Sequence, residues 1–133
     1  MAGGFAIEGQ KAQRPTIRDV ARNIPTCGPD DRIVVVKQRL DGQSVCAVVD
    51  SSNVVLGLLA ENAWTSDADA PAKDVMTLAP LTFRPDREIQ VAAEYLQKHQ
   101  IDKTLVTTSD GQLIGLALRT DVDDLARKTN EAA

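Results

Sequence analysis

Aromatic residues are nearly missing from this 133-residue chain, which has one Trp, one Tyr and two Phe, 3% in all. Any core must be built from the aliphatic side chains that bring the hydrophobic fraction to 43%. That mix suits strands flanked by helices better than an aromatic-rich sandwich. Cysteine is scarce as well. Cys27 and Cys46 stand nineteen apart with no CxxC, and His99 is the only histidine. These residues do not furnish a zinc ligand set. The two cysteines are read as reduced thiols of an intracellular protein, although spacing alone leaves a disulfide open. Long apolar runs are also lacking. The longest, Val54–Ala60, is broken by Gly57 and is too short to cross a bilayer. The N-terminus has no basic stretch followed by an apolar run, so no secretory signal is expected. A cytoplasmic protein without membrane association is the expectation.

Blocks of like charge are absent. The formal net charge is −4, with seven basic and seven acidic residues up to Trp64 and eight basic against twelve acidic after it. A nucleic-acid surface needs several clustered cations to neutralise phosphates, and none is expected here. The chain carries no Ser/His/Asp or Cys/His set, no P-loop and no dinucleotide fingerprint, so it is not expected to be an enzyme. Asp67 and Asp69 sit in a TSDADAP stretch without the Gly and terminal Glu of a calcium loop, which reads as a linker.

What the chain does have is an internal repeat. Arg18-Asp19-Val20 recurs as Lys73-Asp74-Val75 at an offset of 55, Pro29-Asp30 as Pro85-Asp86 at 56, and Gly57 as Gly115 at 58. Several matches in one order indicate two copies of one unit, with small loop insertions between them. In each copy a short helical turn (17–22; 72–76) leads to a brief extended segment (26–28; 81–84). Pro-Asp then opens a helix, with Asp30 and Asp86 as the expected N-caps. Ile33, Val36 and Leu40 share one face of the first helix, and Ile89, Ala92, Ala93 and Leu96 share one face of the second. Two strands joined by a tight turn follow (45–49 with 54–59; 104–108 with 112–118). A final helix closes each unit, short at 61–64 and longer at 120–128. The predicted fold class is α/β (α+β): two β-α-β-β-α repeats packed as one pseudo-twofold module, since neither half alone can cover its sheet. The expected divisions are a disordered 1–15, in which Phe5 and Ile7 could add a strand or pack on a partner, a first repeat at 16–64, a linker at 65–71, a second repeat at 72–128 and a tail at 129–133.

With these residues assembled, the chain resembles a tandem pair of CBS domains, the regulatory module of cystathionine β-synthase. The second copy carries Val75-Met76-Thr77, Pro80-Leu81-Thr82, Pro85-Asp86, Gly111, Gly115 and Asp121 in the family order. The resemblance implies a cleft between the halves that takes an adenosine compound: AMP, ADP, ATP or S-adenosylmethionine. Carried over residue by residue, it places ribose hydroxyls on Asp121, phosphate on Arg119 or Thr120, and the base beside Thr82 and Val106. It also implies a homodimer, with a downstream protein partner that the sequence does not identify. Leu118 departs from the Ser or Thr usual at its position, and in the first copy Ala60 and Ala63 replace the hydroxyl and the carboxylate. Losing one neutral and one charge-assisted hydrogen bond weakens binding by roughly 2–4 kcal/mol, so the first copy is not expected to hold a nucleotide in the usual way. Asp121 has a second reading. Thr120-Asp121-Val122-Asp123 is a helix start whose carboxylates suit the helix dipole. Two functions follow: a sensor of an adenosine-containing ligand, or a degenerate pair in which Leu118, Ala60 and Ala63 fill the cleft and only dimerisation or docking survives.

Overall fold

The computed structural model describes residues 14–78 and 82–132, with side chains as far as Asn130. Of the expected disordered segment 1–15, residues 1–13, with Phe5 and Ile7, lie outside the described residues, as do Pro80 and Leu81. After a single 3-10 turn at Ile17–Val20, the first half runs β1 (Thr26–Cys27), α1 (Ile33–Gln38), β2 (Cys46–Val49), β3 (Val55–Leu59) and α2 (Glu61–Trp64). The second follows with α3 (Ala72–Val75), β4 (Thr77–Leu78), β5 (Thr82–Phe83), α4 (Ile89–Lys98), β6 (Lys103–Thr107), β7 (Leu113–Leu118) and α5 (Arg119–Ala132). The β-α-β-β-α unit therefore occurs twice, in a mixed α/β fold.

Strands form two sheets, ordered β1-β2-β3-β4 and β5-β6-β7. Within each, the first strand lies parallel to the second, and the second and third form an antiparallel hairpin. The aliphatic stripes read from the sequence face inward: Ile33 and Val36 on α1 with Leu40 just past its end, and Ile89, Ala92 and Leu96 on α4, are buried. A third cluster (Val45, Leu105 and Leu116, flanked by Val55, Leu58, Leu113 and Leu118) joins the two halves. At its edge the hairpin turns meet, with Val54 bridging Gln112 and each turn donating a backbone hydrogen bond to the other (Val55 to Gly111, Leu113 to Asn53). Val54 and Gln112 are themselves 58 residues apart, so the repeat relates them and the pseudo-twofold axis passes between them.

The halves exchange their leading segments. Ile17, Val20 and Ala21, which precede the first unit, pack into the core of the second beside Ile89, Val106 and Val122. Ala72, Val75 and Met76, which precede the second unit, pack into the core of the first beside Ile33 and Leu59. The hydrogen bonds obey the same symmetry. Ile17 N–H donates to Arg87 and Ala72 N–H to Asp31; Arg18 donates to Pro85 and Lys73 to Pro29. On the sheets, β4 extends β3, while Arg22 and Leu116 exchange a pair of 2.8 Å bonds on the outer edge of β7. Fully burying Ile17 alone contributes about 1.5–3 kcal/mol, so each leader is a structural part of the opposite half.

This exchange overturns the expected helix caps. Asp30 and Asp86 lie in turns, and the helices begin three residues later with Arg32 and Glu88 at the N-cap. The first free N–H groups are met by backbone carbonyls of the crossing segments: Ile33 and Val34 donate to Ala70 and Ala68, and Ile89 donates to Pro15. A backbone acceptor already in place leaves no work for a capping side chain. Asp30 instead pairs with Lys73 at 3.0 Å, raising the lysine pKa. The 65–71 stretch, read as a linker, supplies two of these capping carbonyls.

Cys27 and Cys46 are free and buried. The Cys46 thiol donates to the Ala47 carbonyl at 3.8 Å. Interaction with the neighbouring Cys27 and burial push the Cys46 pKa far up, and the same interaction draws Cys27 down against the effect of its own burial. Trp64 lies against the first core, and its indole N–H donates to the Ser44 carbonyl at 2.9 Å.

Candidate functional site

β7 runs straight into α5 at Arg119, one residue before the expected start. Val122 and Ala126, four apart, bury one face of that helix against the second core. A neighbouring stripe of α5 faces the exchanged leader, and the two enclose an open cleft of about 390 Å³. Asp121 lies there in the first helical turn, where the helix dipole favours a carboxylate. Its side chain is 24% exposed, and Oδ2 accepts a 2.7 Å hydrogen bond from Nε of Arg22.

The six residues carried over by resemblance do not converge. Asp121 is the one among them that borders this cleft. Arg119, two positions earlier, points to a separate polar cleft with Gln97, Gln100 and Asp123, and its guanidinium lies 3.5 Å from Asp102. Residues i and i+2 do not share a helix face, so Arg119 and Asp121 cannot both face one ligand from α5. Thr120 is exposed on the same turn. Leu118 belongs to the apolar cluster between the halves. Thr82 is exposed on β5, in register with Leu105. Val106 is fully buried in the second core, so its side chain is not presented to a ligand.

Sequence reasoning missed Arg22, which lies 99 residues from Asp121 on the exchanged leader. A signal existed: by the 55-residue offset Arg22 stands where the second copy has Thr77, a departure that becomes meaningful once the leader is known to cross over. The pseudo-twofold axis generates a second, smaller cleft of about 260 Å³ lined by residues that include Ala60, Asn62, Ala63, Thr77 and Lys103. There Ala63 replaces Asp121 and Thr77 replaces Arg22, so the ion pair has no counterpart. Ala60 and Leu118 pack against the cluster between the halves and Ala63 is buried in the first core, yet both flanking clefts stay open, the second with Ala60 and Ala63 in its wall. Among the described residues no group of three or more His, Cys, Asp or Glu could hold a metal, and no helix is long and apolar enough to cross a membrane.

Two α/β repeats with exchanged leaders and paired clefts about a pseudo-twofold axis define a tandem-domain architecture. Residues 72–127 match the family model for the CBS domain, and the chain as a whole has the fold of a CBS-domain pair. The CBS domains of a transcriptional regulator from Streptococcus pneumoniae superpose with a TM-score of 0.72 at 17% identity, covering 83% of this chain and 98% of that one. CBSX2, solved in complex with AMP, gives 0.71 at 20% identity over 86% and 98%. Among curated sequences, an inosine-5'-monophosphate dehydrogenase from Korarchaeum cryptofilum is 27% identical over 107 residues. Those residues are 77% of this chain and 22% of that enzyme, so the chain matches only about a fifth of its relative.

Proposed function

We propose that this chain is a cytoplasmic regulatory module that senses an adenosine-containing ligand (AMP, ADP, ATP or S-adenosylmethionine) in the α5 cleft, without catalysis, and signals through a homodimer to a protein partner. The observation that carries the reading is the open cleft with the half-buried Asp121 carboxylate at its wall, where a ribose diol can donate to it. The AMP complex of CBSX2, a protein of the same fold, supports it. Arg22 already occupies that carboxylate, so a ligand must share Oδ2 or displace the guanidinium. Displacement would move the leader segment that edges the second sheet, which gives ligand binding a route to the fold.

Thermal unfolding with each ligand in excess tests this. A ligand at 100 times its Kd adds about 2.7 kcal/mol, a rise in Tm on the order of 10 °C for a chain of this size. Asp121→Ala and the isosteric Asp121→Asn should both lose the ligand-induced rise, whatever they do to the unliganded Tm. No rise with any of the four ligands would refute sensing and favour the degenerate docking module.

A further inference from the structure

The charges around the α5 cleft discriminate among those ligands, on the premise that the nucleoside reading holds. Asp121, Asp124, Leu125 and Lys128 occupy one stripe of the helix, at i, i+3, i+4 and i+7, and face Asp19 and Arg22 of the leader. Three carboxylates thus oppose two cations. Every carboxylate has a donor: Asp121 takes Arg22 at 2.7 Å, Asp19 takes the Thr16 backbone N–H at 2.9 Å, and Asp124 takes Arg127 at 3.1 Å. Lys128, by contrast, has no hydrogen bond or ion pair among the described residues. Arg119, one of the two expected phosphate ligands, lies on another face beside Asp102, and Thr120, the other, does not line this cleft.

The cleft therefore offers one uncommitted cation, two helical turns or about 10 Å along the axis from Asp121 and on the same face. A ribose 5′-phosphate suits that spacing: its diol reaches Asp121, its sugar crosses Leu125, and its phosphate meets the ammonium at the end of the flexible Lys128 stem. A triphosphate finds no further uncommitted cation and adds its charge to a lining in which carboxylates outnumber cations. We infer that the cleft selects a nucleoside monophosphate over the triphosphate, with Lys128 as the phosphate ligand.

Calorimetric titration of the full chain with adenosine, AMP and magnesium-free ATP, on wild type and Lys128→Gln, tests this. AMP should bind about tenfold more tightly than adenosine, an advantage that Lys128→Gln removes while adenosine affinity stays constant. Added salt should weaken AMP and spare adenosine, because the cation is exposed to screening. An ATP affinity above that of AMP, or an AMP affinity unchanged in Lys128→Gln, overturns the inference while leaving the nucleoside site standing. If neither adenosine nor AMP binds wild type, the nucleoside site fails and takes this inference with it.

Discussion

At the residue scale, Gly57 and Gly115 show how a repeated residue acquires its reason only in three dimensions. Both lie inside strands, where glycine ordinarily weakens the structure. A Cβ on Gly115 would stand 2.7 Å from the Arg22 carbonyl oxygen, and one on Gly57 would stand 2.6 Å from the Met76 sulfur and 2.9 Å from the Thr77 carbonyl oxygen. Each glycine is the point where the other half's leader crosses the sheet. Gly115→Ala should destabilise by about 1–3 kcal/mol, because the Arg22 backbone is bonded on both sides to Leu116 and has little room to retreat. Gly57→Ala should cost a similar amount, since the Met76 side chain can turn aside but the Thr77 carbonyl, held in the β3–β4 ladder, cannot. Urea unfolding midpoints measure both, and a Gly115→Ala protein as stable as wild type would remove the crossing as an explanation for the glycine. Asp121 teaches the same lesson: its type and place beside a helix start were legible, its partner Arg22 was not.

Elements in this chain do not end where the repeats end. The 3-10 turn at Ile17–Val20 belongs by sequence to the first copy and by packing to the second. A fragment covering residues 72–132 contains every element of the second sheet yet lacks the side chains of Ile17, Val20 and Ala21 that complete its core. It should not unfold cooperatively on its own. Thr129 and Asn130 border the same small cleft as Arg14 and Pro15, so the missing leader can be returned by fusing residues 14–24 after α5 through a short flexible linker. Circular dichroism melting should then show a cooperative transition in the fusion and none in the fragment. A fragment that melts as sharply as the full chain would mean the exchange is incidental to stability. The capping expectation failed at this scale for the same cause, because carbonyls from distant segments met the N–H groups that Asp30 and Asp86 were expected to meet.

For the whole molecule, the halves cannot be separated without removing parts of both cores, so under the proposed function a leader displaced at one cleft would disturb both halves. What leaves the molecule is the outward face of the helices. Val35 on α1 and Val91 on α4, equivalent by the 56-residue offset, are 38% and 45% exposed, and Tyr95 adjoins Val91 one turn on at 39%. These apolar residues are the surface on which the proposed homodimer would form. Sedimentation at micromolar concentration should give the mass of two chains, and Val91→Glu should give one. A wild-type monomer under those conditions would refute the dimer and with it the proposed path of signalling.

The local order of the chain was within reach of its sequence. Alternating and 3.6-period aliphatic residues specify strands and helices over a few residues, and the repeat of Pro-Asp, Gly and Val at offsets of 55 to 58 specifies two copies of one unit. Those are short-range properties, written in neighbouring positions. Tertiary structure alone decided which half each leader completes, that Arg22 reaches Asp121, and that Arg119 turns away from it. It also decided that Lys128 joins Asp121 on one wall of a cleft. Each of these depends on long-range packing or on which face of a helix the core claims, and an adjacent pair such as Thr120 and Asp121 carries no record of that choice.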